Sequence, residues 1–425
     1  QTCALPIFAI KVLANNTKKP IIEIIENNIF GSDISSSSIK RSKIILTLLA
    51  LENGEDEFEI DFNLNNVDSL YFDWHQKYPA IFKNGGFGAV IGNPPYVRTK
   101  NLSEDARNKI KMNWITAGYG NVDLFIPFIE LGIKLINGKG ILGYVLPNGF
   151  TNSFSGLRLR EFLQRKRYIK QIIDFNHLQL FEGATTYICI TFFDKIPAKY
   201  SFEYNLINDI KEIQQLSKLK FHKISIKNLN PKGWRLINGK DSKNIKKIET
   251  IGVPLHTMAR IKTGIATLRN DLFVLVNPQI NSKYFLRSYN GKQYKIEKEI
   301  TREAIHAGTV KTTSQLDNDK RWIIFPYKMI GKKYTIISEF ELKKKYPECY
   351  KYLLEIKGEL DKRDKGKKKY EAWYAYGRTQ GLEDFTGRKI VVPTISNNPR
   401  FIITNKINAL IYAVMVFTLK EMSIF

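Results

Sequence analysis

The run Ala89-Val90-Ile91-Gly92-Asn93-Pro94-Pro95-Tyr96 constrains the first half of this chain more than any other. A short run of apolar, β-favouring residues reads as a buried strand, and two consecutive prolines must end it. Neither Pro94 nor Pro95 can donate a main-chain hydrogen bond, and each holds φ near about −65°. Similar apolar runs at residues 29–34, 140–146, 172–175 and 186–193 also read as strands. Between them, residues 39–51, 123–136 and 157–165 carry helical spacing, the first behind a serine-rich start able to cap it. Strands alternating with helices predict an α/β domain with a largely parallel sheet. Ligands bind such sheets beyond the carboxyl ends of the strands, where both Asp33 and Asn93 fall.

The bulk numbers narrow the class. At 425 residues the chain is too long for one ordinary core, so two domains are expected. The net charge of +25 points to a polyanionic partner, because lysines and arginines that neutralise phosphates release condensed counterions. A solvated lysine-rich surface is the plainer alternative. Three scattered cysteines without a CxxC pair, and only five histidines, argue against a disulfide framework or a structural zinc site, and for a reducing, cytoplasmic location. The longest apolar run, residues 407–419, is too short to span a bilayer and reads as a core element.

Around residues 197–234 the texture turns polar and lysine-rich. The reading is a domain at residues 1–200, a linker at 201–250 and a second, α+β domain at 251–425. That second domain includes a charged helix over residues 339–363, followed by Gly366-Lys367-Lys368-Lys369.

The proline turn carries the chemistry. A carbonyl in such a turn has no ladder partner, and the Asn93 side-chain oxygen beside it is a second acceptor. Two converging acceptors suit an exocyclic NH2 group: both N–H bonds are held and the lone pair is turned toward an electrophile. Tyr96 offers a flat face on which a base can stack. A strand-ending turn with an incidental aromatic is the bland alternative; the strand before it and the tyrosine after it weigh against that.

On these residues the segment resembles the catalytic motif of amino-methyltransferases acting on adenine in DNA, in the TaqI-like branch that carries a C-terminal specificity domain. The resemblance implies a Rossmann-like methyltransferase domain using S-adenosylmethionine, with no metal, followed by a target-recognition domain. It implies a site-specific adenine methyltransferase of a restriction–modification system that flips its base out of double-stranded DNA, and it leaves room for a cognate restriction endonuclease as a further partner. Asn93, Pro94, Pro95 and Tyr96 then stand as the catalytic set. Asp33, ending the second strand of the fold, is expected on the cofactor ribose. Asp68 is expected on the cofactor's adenine amino group, with Asp73-Trp74 as a second alignment. Phe181, in Phe181-Glu182-Gly183-Ala184-Thr185-Thr186, is similar to a residue that packs on the flipped base; a plain core aromatic is its alternative. Runs such as Ile261 to Thr267, Trp322 to Tyr327 and Trp373 to Arg378 resemble the recognition domain as a set. There Arg363, Lys367, Lys368, Lys369 and Arg378 lie among aromatics, the mix expected for gripping phosphates while reaching bases.

Two departures qualify the resemblance. The family commonly has Asp where Gly88 stands. It also opens on a glycine-rich turn that lets backbone approach the methionine part of the cofactor, and Leu5-Pro6 cannot replace glycines at positive φ. Gln1 to Ile7 looks like a translated sequencing adapter, so an N-terminally truncated fragment with weakened cofactor binding is expected. Cytosine N4 methylation, the methylating part of a fused nuclease–methyltransferase, and a non-catalytic DNA-binding remnant are the competing readings.

Overall fold

The computed structural model describes residues 4–419 apart from 57–58, 119, 182–185, 197–199, 238, 307, 309, 332, 380–381, 383–388, 397, 405 and 407. The readings made on Gln1 to Cys3, on residues 182–185 and on the ending Lys420 to Phe425 lie outside the described residues. The chain forms two compact units, Gln1–Lys246 and Lys247–Phe425.

In the first unit, β1 (Phe30–Asp33) pairs in parallel with β2 (Asn63–Asn66). Gly31 permits their close approach, because a Cβ there would meet Leu64 at 2.9 Å. The helix Ser36–Glu52 follows β1 and starts where the serines predict, with the Ser35 hydroxyl accepting from the Ser38 amide.

A separate six-stranded sheet has the order β3-β4-β6-β5-β7-β8. Its strands are β3 (Phe87–Gly92), β4 (Ile136–Pro147), β5 (Ile169–Asp174), β6 (Ile188–Asp194), β7 (Ser201–Leu206) and β8 (His222–Ser225). β3, β4, β5 and β7 run one way, whereas β6 and β8 run the other, so the sheet is mixed rather than largely parallel. The carboxyl ends of β3, β4 and β5 therefore share one edge. The helix Phe125–Leu135 lies against this sheet with Ile126 and Ile129 fully buried. Gly132 sets the approach: a Cβ there would meet Leu142 of β4 at 2.6 Å.

The stretch 201–250 is not a linker. β7 and β8 extend the sheet, with Phe202, Tyr204 and Ile224 buried. Trp234 is buried too, its ring 6.2 Å from Phe150 and 6.0 Å from Phe202. Arg160, wholly buried, donates to the carbonyls of Pro231 (2.7 Å) and Lys232 (3.2 Å) and ties that stretch to the domain. Apolar residues next to exposed charged ones, Glu203 in β7 and Lys223 in β8, build these strands, and the polar neighbours mask them in the composition.

The second unit holds two four-stranded sheets. One orders Val274–Val276, Arg321–Ile324, Thr301–Ile305 and Leu410–Ile411; the other orders Ile402–Thr404, Lys389–Pro393, Val414–Leu419 and Ala259–Thr263. The expected charged helix is three shorter ones, Glu339–Lys345, Pro347–Glu355 and Lys357–Asp361. Pro347 breaks it because proline has no N–H for the preceding turn and starts the next helix instead. Tyr352, Tyr374 and Tyr376 are buried in the core with their hydroxyls donating to the carbonyls of Leu272 (2.8 Å), Ile337 (2.6 Å) and Ile324 (2.6 Å).

Lys389, 1% exposed, donates to the carbonyls of Lys406 (3.0 Å) and Ala409 (3.3 Å). Burial pushes its ammonium down from 10.5 to about 8. Between those values the unfolded chain binds the extra proton, so this group makes stability rise with pH there. The natural chain should gain unfolding free energy relative to Lys389→Met as pH rises from 8 toward 10.5, measured by urea titration. A difference that stays flat with pH would refute the assignment.

Candidate active site

β3 stops at Gly92 and the chain leaves the sheet at Asn93. Gly92 is needed there, since a Cβ would press on the buried ring of Tyr144 at 3.1 Å. Asn93 is exposed, Pro94 buried, Pro95 exposed and Tyr96 half-buried. Among the described residues none hydrogen-bonds the Asn93 side chain, so its amide oxygen is a spare acceptor at the sheet edge.

Tyr96 is fixed rather than loose. Its hydroxyl donates to the Val145 carbonyl of β4 at 3.1 Å, and its ring stands edge-on to Phe125 at 6.3 Å. Burial, with the Cys189 thiol as a lesser cause, pushes its phenol well above the usual range, so the hydroxyl stays a neutral donor. Tyr96 and Phe181 pack on the same apolar cluster built around Ile173, Phe175, Ile188 and Ile207. Packing on that cluster fits the plain core role of Phe181 as well as a place beside a base.

The segment after Tyr96 is stitched to the residues that lead into the helix Phe125–Leu135. Leu124 donates to Val97 (2.8 Å), Thr99 donates to Val122 through its amide (2.9 Å) and hydroxyl (3.0 Å), and Arg98 lies 3.7 Å from Asp123. Burial raises the Asp123 carboxyl above its ordinary range, an effect offset by Arg98 and by a hydrogen bond from Ser155. Asp123 therefore serves the loop behind the proline turn.

A polar cluster that the sequence reading missed sits on the same edge. Asn148, just after β4, donates to Asp174 at the end of β5 (3.0 Å) and to the carbonyl of Asn176 (3.3 Å). Asp174 also accepts from the Asn176 amide (2.9 Å) and the Tyr204 hydroxyl (3.2 Å). The available signal was positional: Asn148 and Asp174 end apolar strands, as Asp33 and Asn93 do.

Asp33 and Asp68 lie on adjacent loops at the carboxyl ends of β1 and β2. The Ser32 and Ser69 hydroxyls join these loops at 2.6 Å, and Asn66 donates to the Asp33 carbonyl at 3.0 Å. Each carboxylate uses one oxygen in its own turn: Asp33 accepts from the Ser35 amide (2.7 Å) and Asp68 from the Leu70 amide (3.0 Å). Among the described residues none hydrogen-bonds the second oxygen of either, and such acceptors fit the hydroxyl and amino hydrogens of a nucleoside. Asp73 likewise spends one oxygen on a backbone amide, capping the helix Trp74–Lys77 through Gln76 (2.9 Å), and Trp74 is buried.

In the second unit, Lys367, Lys368, Lys369 and Arg378 are exposed, as a phosphate-facing role requires. Arg363 is not. It is 4% exposed, and its guanidinium is spent on the main-chain carbonyls of Leu360, Thr267, Ala375 and Trp373. Its place in a basic run suggested a surface cation, but the three-dimensional turn folds over it.

These positions can be compared with known proteins. Residues 27–181 match the Eco57I restriction-modification methylase family. That span contains the proline turn, both carboxylates and Phe181. The chain is 27% identical over 343 residues to the type II restriction enzyme and methyltransferase RM.Eco57I of Escherichia coli, covering 77% of this chain and 34% of that protein. It is 28% identical over 295 residues to the type II methyltransferase M.AccI of Acinetobacter calcoaceticus, covering 62% of this chain and 49% of that protein. Its relatives are type II restriction–modification methyltransferases, and the chain spans about a third to a half of these two. Among solved structures, the type IIL restriction-modification enzyme MmeI in complex with DNA has a TM-score of 0.59 at 13% identity, covering 98% of this chain and 54% of that one. That likeness concerns the fold.

The Tyr96 hydroxyl gives a direct test of the site's rigidity. Tyr96→Phe keeps the aromatic face but removes the donor to Val145, and should cost about 1 kcal/mol in equilibrium urea unfolding. Unchanged stability would mean that the hydroxyl does not anchor the ring.

Proposed function

We propose that this chain is the methyl-transferring part of a site-specific DNA methyltransferase that acts on the N6 amino group of adenine, within a restriction–modification system. The observation that carries the reading is an unpartnered acceptor, Asn93, at a strand's carboxyl end beside the anchored ring of Tyr96, inside the span that matches the methylase family.

Adenine cannot be reached inside the duplex stack, so the base is rotated out, at a cost of roughly a few kcal/mol. The Asn93 side-chain oxygen and the Pro94 carbonyl accept its two amino hydrogens, which leaves the nitrogen lone pair directed outward. Tyr96 stacks on the ring and Phe181 packs against it. S-adenosylmethionine, held by Asp33 at the ribose hydroxyls and by Asp68 at the adenine amino group, supplies an electrophilic methyl when bound. The protein's own contribution is position, which for reactants held in line accounts for much of the barrier. Duplex DNA is the partner that the basic charge suits, and S-adenosylmethionine the cofactor that the two spare carboxylate oxygens suit.

A second reading is the methylating part of a fused restriction endonuclease and methyltransferase. The match to RM.Eco57I, a protein of which this chain spans 34%, is compatible with it. The same acceptors suit cytosine N4, and neither Tyr96 nor Phe181 separates the two bases.

Asn93→Ala should abolish methylation of duplex DNA, read by methylation-sensitive sequencing, and leave DNA binding within about twofold. A variant that still methylates at close to the natural rate would overturn the assignment. N4-methylcytosine in the product would transfer it to the other base.

A further inference from the structure

The second unit contains a cavity of about 570 Å³ whose lining includes Lys262, Lys368, Lys369, Tyr370, Gly377 and Arg378. Four cations on one concavity repel each other, and Glu371 is the acidic residue that lines it with them. The complementary occupant is an anion presenting more than one charge.

The wall of this cavity is built on an unusual turn. Asp364, Lys365 and Gly366 are all left-handed, with φ of 48°, 58° and 69°. Such conformations are costly for residues other than glycine and persist only where their surroundings over-determine them. Here the surroundings do. The buried Arg363 guanidinium clamps the turn to Leu360 (2.8 Å), Trp373 (2.7 Å), Ala375 (2.6 Å) and Thr267 (3.4 Å). The Asp364 carboxylate accepts from the Tyr370 hydroxyl (2.9 Å) and from the Arg378 guanidinium (3.0 Å). Both donors hold the Asp364 carboxyl below its ordinary range, Arg378 most strongly. Lys368 donates to the Gly377 carbonyl (3.1 Å) and lies 5.1 Å from the Tyr370 ring, while the Arg378 amide donates to Ala266 (2.9 Å). Lys368 and Arg378 are thus held in place by the chain's own groups.

We propose that this cavity is a preorganised grip for the phosphodiesters of duplex DNA, in which Arg378 and Lys368 meet phosphate and Asp364 is the positioning residue that aims Arg378. The proposal rests on the reading of DNA as substrate. It reverses the sign that charge alone predicts: Asp364 is an acid on a DNA-binding wall, yet removing it weakens binding. Arg363 acts one step further back, by holding the strained turn closed.

The test is fluorescence anisotropy of the full chain on a labelled mixed-sequence duplex of about thirty base pairs, over a salt series. Arg378→Ala and Lys368→Ala should each raise Kd about three- to tenfold and lower the slope of log K against log salt by about one. Asp364→Asn, although it adds net positive charge, should also raise Kd. Tyr370→Phe, neutral in charge, should move the same way by less, and it carries the test if Asp364→Asn fails to fold. Tighter binding by Asp364→Asn, or unchanged slopes in Arg378→Ala and Lys368→Ala, overturns the grip while leaving the methyltransferase reading intact. Failure of the natural chain to bind the duplex at all overturns DNA as the substrate, and the grip with it.

Discussion

Pro94 and Pro95 lack the amide hydrogens that another ladder position would need, and the edge of the first unit is arranged around that deficit. β3 must stop at Gly92, the chain must turn away from β4, and Asn93 is left at the rim with its side chain unpartnered. The segment that follows is tied down, because Tyr96 is bonded to the sheet and Val97 and Thr99 to the stretch that leads into the helix Phe125–Leu135. A turn that cannot hydrogen-bond itself is thus held from both sides by neighbours that can.

Buried cations divide this chain in a way that formal charge does not reveal. Arg160, Arg363 and Lys389 are almost wholly buried, and each spends its N–H groups on main-chain carbonyls. In the low dielectric of the interior such bonds are strong, and leaving the carbonyls unmet would be costly. These three residues count toward the +25 of the chain, but they organise loops rather than attract a polyanion. The cations available to a partner are those like Lys368 and Arg378, which stand exposed on a wall that a buried arginine has shaped.

The strands flanking Asn93, the serine-capped helix after β1 and the helix before β4 were legible because apolar periodicity, capping and proline each leave a local mark. That Tyr96 and Phe181 pack on one apolar cluster is set by the sheet and not by their spacing in sequence. β7 and β8 escaped because buried residues such as Phe202, Tyr204 and Ile224 alternate with lysines and glutamates, so composition looked like a linker. Arg363 was misplaced for the opposite reason: its neighbours in sequence are surface lysines, and only the left-handed turn at Asp364 and Lys365 folds it inward. The Asn148–Asp174 pair links two strand ends separated by β6, a neighbour relation that no local pattern encodes.

The candidate site has a consistent division between spent and spare polar groups. A buried acceptor without a donor costs free energy, so the cluster of Asn148, Asp174 and Tyr204 is internally satisfied. An exposed acceptor is satisfied by water and can wait at no such cost. Asn93 and Asp68 are exposed acceptors of that kind, and Asp33 is half-buried, as Asn148 and Asp174 are. A ligand that removes water from Asn93 and from the neighbouring carbonyl has to return a donor to each, and an exocyclic amino group, with two N–H bonds, is a chemistry that can do so.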